Sequence, residues 1–331
     1  MKKVLLVFGG PSNEHLISCK SIKSILENID YKKYDVSVCG ISESLEWYKF
    51  NDSLEMLEDG SWINSSNNEK IENIVEFFKT FDVVFPVIHG TLGEDGKLAS
   101  MLDIFNVKYV GSKGLAHGIG YDKHYTKLIC KSLNINQIDY IVLYKNEKKY
   151  IKKVEDNLSY PVIVKPCCSG SSIGVNIVNN RKELSKFIKE AFIFDDKILV
   201  EKYIEKKREF ECGVLEDKKI IVSSVGEIIN DDNIYDYESK YIKKADVVVP
   251  AFISSNINNQ IKKWSIDIFN ILGCSGLARI DFIYDTLEDI LYFNEINTIP
   301  GFTDISMYSK VFNYDGISFK SLIDKLIDNA K

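Results

Sequence analysis

The side chains that could do chemistry are concentrated in two stretches near the carboxyl end of the chain. Asp281 follows Arg279 by two residues, and Asn297 follows Glu295 by two residues. Successive side chains of a strand point to opposite faces, so the members of each pair would share a face. Carboxylate and amide oxygens held side by side suit Mg²⁺, which also takes oxygens from phosphates. The pattern predicts a hairpin that carries a metal and phosphate site.

Arg279 stands out because lysine is the usual cation of this chain. Arginine occurs only at positions 181, 208 and 279. A lone arginine within an apolar strand is typical of a site that binds a phosphate or an oxyanion through several donors. The alternative is a buried salt bridge between Arg279 and Asp281 that joins two strands, but buried pairs of this kind are costly. The convergence of four polar groups favours the metal and phosphate site.

Composition and charge exclude several classes of function. The 331 residues carry a net charge of −6 and no run of Lys and Arg, which argues against a nucleic-acid surface. No apolar run approaches the length of a membrane span and no leader precedes the first strand, so we expect a cytoplasmic protein without a membrane partner. The seven Cys and four His show no metal-ligand spacing, and we expect the thiols to be reduced.

The first hundred residues alternate strand and helix, which predicts a parallel sheet. Ligands of such a sheet bind beyond the carboxyl ends of its strands. Glu14 follows Gly9 and Gly10 at one predicted strand end, and His89 lies at another. Taken alone, Glu14 could instead complement a helix dipole, and His89 could be a turn residue. The residues by themselves leave both alternatives open.

Two further units are predicted after this sheet. Lys165 ends an apolar strand, and the small-residue loop 169–174 that follows could cover phosphates with its N–H groups and hydroxyls. That signal is weak alone, and the loop lacks the Gly-Lys-Ser/Thr ending of a Walker A loop. Antiparallel strands begin near residue 208, and the polar, Tyr-rich segment 229–249 favours a lid.

Apolar periodicity and turn residues predict the individual elements. Predicted helices cover residues 14–27, 71–79, 95–105, 122–134, 151–158, 181–193, 256–272 and 316–329. Predicted strands include residues 4–8, 34–41, 82–88, 107–110, 139–143, 198–203, 208–214 and 219–225. Residues 43–68 are polar and irregular, and we expect a small hairpin there that carries Trp47 and Trp62.

Seven motifs occur in the order found in one enzyme family. They occupy residues 9–15, 89–96, 122–123, 165–172, 235–241, 279–281 and 294–303. With these motifs the chain resembles the D-alanine–D-alanine ligases of the ATP-grasp superfamily. Each motif is modest by itself, but the ordered set spans nearly the whole chain and is highly specific.

The resemblance implies an α/β fold with the three-domain ATP-grasp architecture. An N-terminal parallel-sheet domain that binds substrate would span residues 1–111. Two α+β domains, 112–206 and 207–331, would sandwich ATP between them. The central domain would carry the phosphate loop, and the last domain would carry the lid and the metal site. The resemblance also implies a homodimer and a role in peptidoglycan synthesis.

The resemblance further implies a role for each matching residue. ATP would be bound by Lys123, Lys165, Ser171, Ser172, Glu201, Lys202, Ile204 and Glu209. Two Mg²⁺ ions, or Mn²⁺, would be held by Asp281, Glu295 and Asn297. The catalytic residues would be Glu14, Ser171, Tyr241 and Arg279. The first three would form a hydrogen-bonded trio that links the N-terminal domain, the phosphate loop and the lid. The amino-acid substrates would contact His89, Lys240, Gly301, Ser306 and Met307.

The implied reaction joins two D-alanines in two steps. The carboxylate of the first attacks the γ-phosphate of ATP, and the amine of the second attacks the resulting acyl phosphate. Glu14 would hold the first ammonium group, and Arg279 would face the oxyanion of the tetrahedral intermediate. Such catalysis works by positioning and charge neutralisation, so it needs no enzyme nucleophile.

A D-alanine–D-serine ligase is the close alternative. In the family, Tyr241 favours a peptide product over an ester, and Met307 suits the methyl group of D-alanine. Segment 40–48, however, resembles the relatives that use D-serine. D-alanine is preferred as the second substrate, with D-serine left open.

A third alternative belongs to a different class, an ATP-binding paralogue that no longer ligates. Its motivation is three positions at which the family usually has other residues: Leu16, Ala99 and Ser100. None of the three is an expected ligand of ATP or of the metal. The presence of Arg279 argues against this alternative, because a module that only binds ATP has no need of an oxyanion arginine.

Overall fold

The computed structural model describes residues 1–229 and 246–331. Its strands are β1 (Lys2–Gly9), β2 (Tyr34–Ile41), β3 (Trp47–Lys49), β4 (Glu69–Lys70), β5 (Val83–Pro86), β6 (Tyr140–Tyr144), β7 (Val162–Pro166), β8 (Asn176–Val178), β9 (Lys197–Lys202), β10 (Lys207–Glu216), β11 (Ile220–Ile229), β12 (Asp246–Val248), β13 (Leu277–Asp285) and β14 (Ile290–Asn297). Its helices are α1 (His15–Asn28), α2 (Glu55–Glu58), α3 (Ile74–Phe78), α4 (Lys97–Phe105), α5 (Gly114–Tyr121), α6 (Lys123–Ser132), α7 (Tyr150–Glu155), α8 (Arg181–Phe194), α9 (Ser255–Ile271), α10 (Met307–Tyr314) and α11 (Phe319–Asp328), with a 3₁₀ helix at Ser61–Asn64. The predicted lid residues Lys240 and Tyr241 lie outside the described residues.

The N-terminal sheet has the strand order β4-β3-β2-β1-β5. β1 pairs in parallel with both β2 and β5, and its residues 4–8 are fully buried, as a continuous apolar run predicts. The expectation of a parallel sheet is wrong at the edge, where β3 and β4 are antiparallel. A short turn links β2 to β3, and only an antiparallel pair can be joined that way.

The predicted hairpin carrying both tryptophans is wrong for Trp62. Trp47 lies in β3, but Trp62 lies in the 3₁₀ helix and is fully buried. Its ring meets Phe8 of β1 edge-on, with the ring centroids 4.9 Å apart. Gly40 makes room for it, since a Cβ there would be 2.5 Å from the indole ring. Burial of a large aromatic ring, rather than strand pairing, therefore fixes this segment.

Several other elements differ from prediction. Residues 107–110 form only a bridge to β5 through Tyr109 instead of a strand. Helix α5 was missed because its three glycines have low helix propensity, and α10 was also missed. The closing helix begins at Phe319 because Gly316, with a φ of +85°, follows the end of α10, and Ser318 caps α11 by accepting from the Ser321 amide.

The middle sheet has the order β6-β9-β7-β8, and all its neighbouring strands are antiparallel. Helix α8 covers one face, with Leu184 and Ile188 packed against Val162 and Val164. Asn180 begins this helix by accepting hydrogen bonds from two backbone amides of the first turn. This packing holds β7 and the loop that follows it.

The C-terminal sheet has the order β12-β11-β10-β13-β14 and is antiparallel throughout. Helix α9 packs on one face through residues such as Trp264 and Phe269. Helix α10 packs on the other, where a Cβ on Gly213 would be 2.7 Å from the Phe312 ring. This sheet positions the acidic pair of the predicted site, Asp281 on β13 and Glu295 on β14.

The end of the chain returns to the N-terminal sheet. Helices α10 and α11 share a hydrophobic core with β1, and Lys331 exchanges two backbone hydrogen bonds with Tyr109. The α/β fold class is confirmed. Each sheet uses strands from only one of the predicted domain ranges, whose boundaries themselves stay predictions. Among the described residues, no helix is long and apolar enough to span a membrane.

Candidate active site

The predicted hairpin of β13 and β14 brings the acidic and amide side chains together. Asp281 pairs with Glu295, and Arg279 pairs with Asn297, in the antiparallel register of the two strands. The Asn297 amide nitrogen donates to Asp281 Oδ2 at 2.9 Å. The two-residue spacing read from the sequence therefore translates directly into one cluster of oxygen-bearing side chains.

The Arg279 guanidinium is held by carboxylates from two strands. Its Nε and Nη2 donate to the two oxygens of Asp281, both at 2.8 Å. Glu211 of β10 approaches Nε at 2.9 Å and is the residue that ties Arg279 to a second strand. Glu211 is only 5% exposed and was not among the predicted site residues. Its two-residue spacing from Glu209 was the available signal, because both side chains face the same cleft.

The loop between β7 and β8 lies opposite this cluster. Lys123, the first residue of α6, donates to the Ser169 carbonyl at 2.6 Å, and its Nζ lies 3.3 Å from Glu295 Oε2. Ser171 and Ser172 have φ values of +50° and +57°. Successive residues in the left-handed region turn backbone groups towards one side, a geometry that suits anions. The lysine thus connects the loop to the acidic pair.

A single cleft between the middle and C-terminal sheets collects the predicted nucleotide ligands. They are Lys123, Lys165, Ser171, Ser172, Glu201, Lys202, Ile204 and Glu209. Asp281 and Glu295 line the same cleft, and Ile163 and Phe282 add apolar walls from the two sheets. Lys165 Nζ lies 2.5 Å from Glu201 Oε2 within it. The lining of the cleft therefore combines apolar walls with charged groups.

Glu14 connects the N-terminal domain to the loop. The Ser171 hydroxyl donates to Glu14 Oε1 at 2.5 Å, and Glu14 is 8% exposed. The approach is close, since a Cβ on Gly170 would lie 2.6 Å from Glu14 Oε2. Two members of the expected trio are thus in contact, while the third, Tyr241, lies outside the described residues.

His89 and Glu94 connect the N-terminal domain to the residues that follow β14. His89 Nδ1 donates to the Ile299 carbonyl at 2.8 Å, and Ser21 Oγ lies 3.1 Å from Nε2. Burial lowers the pKa of His89, which disfavours the charged imidazolium. Glu94, which was not among the predicted site residues, accepts from the amides of Gly90 and Ile299. Burial, together with the charge of Glu14, raises the pKa of Glu94 to about 8.

Three of the residues expected to contact the amino-acid substrates lie after β14. A Cβ on Gly301 would be 3.3 Å from Ser306 Oγ, and that hydroxyl accepts from the Thr303 amide at 3.1 Å. Met307 is 8% exposed and packs on β11, where a Cβ on Gly226 would be 2.3 Å from its sulfur. Substrate contacts of these residues, and of Lys240 outside the described range, stay predictions.

The donor set of the hairpin fits a hard divalent cation. Asp281 and Glu295 offer carboxylate oxygens and Asn297 an amide oxygen, the ligand types that Mg²⁺ prefers. Within the described residues no group of three or more His, Cys, Asp and Glu has the geometry of a metal site. An amide as the third donor accounts for this at the hairpin. Arg279 and Lys123 lie against the two carboxylates and offset their mutual repulsion.

Three sheets, with a charged cleft between the second and the third, define an ATP-grasp enzyme. The chain belongs to the D-alanine–D-alanine ligase family. The family description "D-ala D-ala ligase N-terminus" matches residues 3–112, and "D-ala D-ala ligase C-terminus" matches residues 129–328.

Relatives are similar over almost the full length. A D-alanine–D-alanine ligase of Caldicellulosiruptor bescii is 41% identical over 99% of this chain and 94% of its own. The crystal structure of the VanG D-Ala:D-Ser ligase of Enterococcus faecalis is 33% identical, with a TM-score of 0.88 over 99% of this chain and 98% of that one. The D-alanine–D-alanine ligase of Coxiella burnetii is 31% identical, with a TM-score of 0.86 over 100% and 95%.

Proposed function

We propose that this protein is an ATP-dependent ligase that joins two D-alanines into D-alanyl-D-alanine for peptidoglycan synthesis. The observation that carries the proposal is the cluster of Arg279, Asp281, Glu295 and Asn297 beside a cleft whose lining includes Lys123 and Lys165. Full-length similarity to D-alanine–D-alanine ligases supports the substrate assignment. The phosphate loop and Glu14, in contact at 2.5 Å, supply a wall between nucleotide and amino acid.

The proposed reaction has two steps, and in each step one bond between heavy atoms forms and one breaks. A carboxylate oxygen of the first D-alanine forms a bond to the γ-phosphorus of ATP, and the bond to ADP breaks. The amine of the second D-alanine then attacks the acyl carbon, a proton passes from its nitrogen to solvent, and the bond between the acyl carbon and the phosphate oxygen breaks. The products are the dipeptide, ADP and phosphate, and no covalent bond to the enzyme forms.

The protein groups act by position and charge. Lys123 and Lys165 offset the negative charge of the ATP phosphates, and Glu14 holds the ammonium group of the first D-alanine. Arg279 donates to the oxyanion that develops on the acyl carbon, and Asp281 and Glu211 fix its orientation. His89 is buried, and its hydrogen bond to the Ile299 carbonyl holds the N-terminal sheet against the residues that follow β14.

Asp281, Glu295 and Asn297 are the residues that would hold Mg²⁺ or Mn²⁺. The metal, when bound, neutralises phosphate charge and acts as a Lewis acid. The chain's own contribution is to hold the three donors in one register, with Arg279 and Lys123 beside them.

The three departures from the family fall on packing positions. Ala99 is 3% exposed in the core of the N-terminal sheet, and Ser100 Oγ would be 2.0 Å from a Cβ on Gly114. The Leu16 side chain lies 3.4 Å from the position of a Cβ on Gly60. These contacts adjust how helices fit together, which argues against the inert paralogue.

The proposal is tested by ATP-dependent phosphate release from the purified full chain with Mg²⁺, with products identified by mass. We expect D-alanyl-D-alanine from D-alanine alone, with one phosphate per dipeptide. Omitting D-alanine is the control, and it should reduce phosphate release to background. ADP binding without any dipeptide would contradict the proposal and favour the inert paralogue.

D-serine is the second candidate for the acceptor, and the similarity to the VanG ligase favours it. A mixture of D-alanine and D-serine distinguishes the two. D-alanyl-D-alanine should dominate if D-alanine is the acceptor, whereas excess D-alanyl-D-serine would reassign the second substrate. Both results leave the ATP chemistry unchanged, because only the amine that attacks the acyl phosphate differs.

Replacing Ser171 with alanine should raise the KM for D-alanine about tenfold. The Ser171 hydroxyl donates to Glu14, and a hydrogen bond to a charged group is worth about 1.5–3 kcal/mol. Steady-state kinetics with each substrate varied measures the effect. Ser172→Ala is the matched comparison, and it should change the KM for ATP instead. Equal effects of both variants on both substrates would contradict separate roles.

A further inference from the structure

Lys127 is a buried lysine for which the proposed reaction gives no role. It is 1% exposed, and it lies one helical turn after Lys123 on α6, so both side chains point the same way. Its Nζ lies 2.8 Å from Glu201 Oε1 and 5.4 Å from the centre of the Tyr140 ring. Lys127 does not line the cleft, whereas Glu201 does.

Glu201 is shared between two lysines. Its second oxygen, Oε2, lies 2.5 Å from Lys165, which lines the cleft beside the phosphate loop. With both lysines protonated, the three side chains carry two positive charges and one negative charge. A purely structural ion pair would need only one of the lysines, because a single lysine neutralises the carboxylate.

Burial makes the balance of charge in this triad important. Burial alone would raise the pKa of Glu201, but Lys127 and Lys165 together lower it to about 2. Burial also lowers the pKa of Lys127, and the charge of Glu201 opposes that shift. Few water molecules screen such buried charges. Removing one charged side chain of the triad therefore alters the electric field at the cleft.

We propose that Lys127 is a positioning residue for nucleotide binding that neutralises Glu201 from behind the cleft. Lys165 then keeps its positive charge available to the nucleotide phosphates, although it touches the same carboxylate. Without Lys127, Glu201 would be paired with Lys165 alone, and the net charge of the triad would fall from +1 to zero. This inference rests on the proposed function, since it concerns the same nucleotide cleft.

The inference is tested by binding of ADP and of adenosine, each with Mg²⁺, to the full-length Lys127→Met variant. Calorimetry should give an ADP Kd about tenfold higher than that of the unchanged protein, which is about 1.4 kcal/mol. The adenosine Kd should change less than about twofold, because adenosine carries no phosphate. Lys131→Met is the matched control, since Lys131 is exposed on the same helix and the chemical change is identical.

The conservative variant keeps the test informative if Lys127→Met fails to fold. Lys127→Arg retains the charge, so it should bind ADP within about threefold of the unchanged protein. An unchanged ADP Kd in a folded Lys127→Met variant, or an equal loss of ADP and adenosine, would overturn the inference. Because calorimetry measures binding alone, neither result depends on which dipeptide forms, and a failure of the proposed ligase reaction would appear only in the product assay.

Discussion

Replacing Arg279 with alanine should lower kcat about 10³-fold and leave the ADP Kd within about threefold. The loss is large because a donor to a developing oxyanion acts mainly in the transition state. Nucleotide binding should survive, because the lysines and the apolar walls of the cleft do not depend on this side chain. The measurement is steady-state turnover, with ADP calorimetry on the same sample.

Stability must be followed in the same variant, because Arg279 lies against two carboxylates. Its removal takes one cation away from the buried Asp281 and Glu211, and breaking a buried pair costs about 3–5 kcal/mol. Denaturant unfolding should therefore show a loss of that order while the protein remains folded at the assay temperature. A folded Arg279→Ala variant with unchanged turnover would remove the oxyanion role.

Arg208 provides the matched control for this experiment. It also makes a two-pronged contact with a carboxylate, donating to both oxygens of Glu227 at 2.6 and 2.7 Å. Arg208→Ala should therefore lose some stability but keep most of the turnover. Arg279→Lys tests the shape of the donor, since it keeps the charge without the planar fork, and we expect it to recover only part of the loss.

The sequence was most informative where a site depends on neighbours along one strand. The spacings of Arg279 to Asp281 and of Glu295 to Asn297 predicted shared faces, and the short turn between the strands predicted the hairpin. The partner of Arg279 across the sheet, Glu211, could not be found this way. Its position depends on the register between β10 and β13, which residues far apart in the chain decide together.

The misplaced elements have a similar physical origin. Trp62 has good strand propensity, yet it lies in a 3₁₀ helix because Gly40 opens a site for its ring against the sheet. Helix α5 contains three glycines, so its packing rather than its propensity forms it. The contact between Glu14 and Ser171 joins residues 157 positions apart. Only the family resemblance, and no local pattern, pointed to it.

Replacing Asp281 with asparagine should lower turnover about 10²-fold or more and raise the Mg²⁺ concentration needed for half-maximal activity about tenfold. The substitution keeps the shape of the side chain but removes one of the two carboxylates of the donor set. Binding of Mn²⁺ in the presence of ADP, followed by electron paramagnetic resonance, gives a readout independent of turnover. The affinity of the Asp281→Asn variant for Mn²⁺ should also fall about tenfold.

Asp281 has a second role that this experiment must separate from metal binding, because it also orients Arg279 through two hydrogen bonds at 2.8 Å. The Glu211→Gln variant separates the two roles. It weakens the second ion pair that orients Arg279, and it leaves the three metal donors of the hairpin unchanged. Turnover of Glu211→Gln should fall while its Mg²⁺ requirement and Mn²⁺ binding stay unchanged. If both variants shift metal binding equally, the two carboxylates act as one acidic cluster and Asp281 has no special place as a metal ligand. If neither variant shifts it, the hairpin serves Arg279 alone, and the metal must be held by other groups of the cleft.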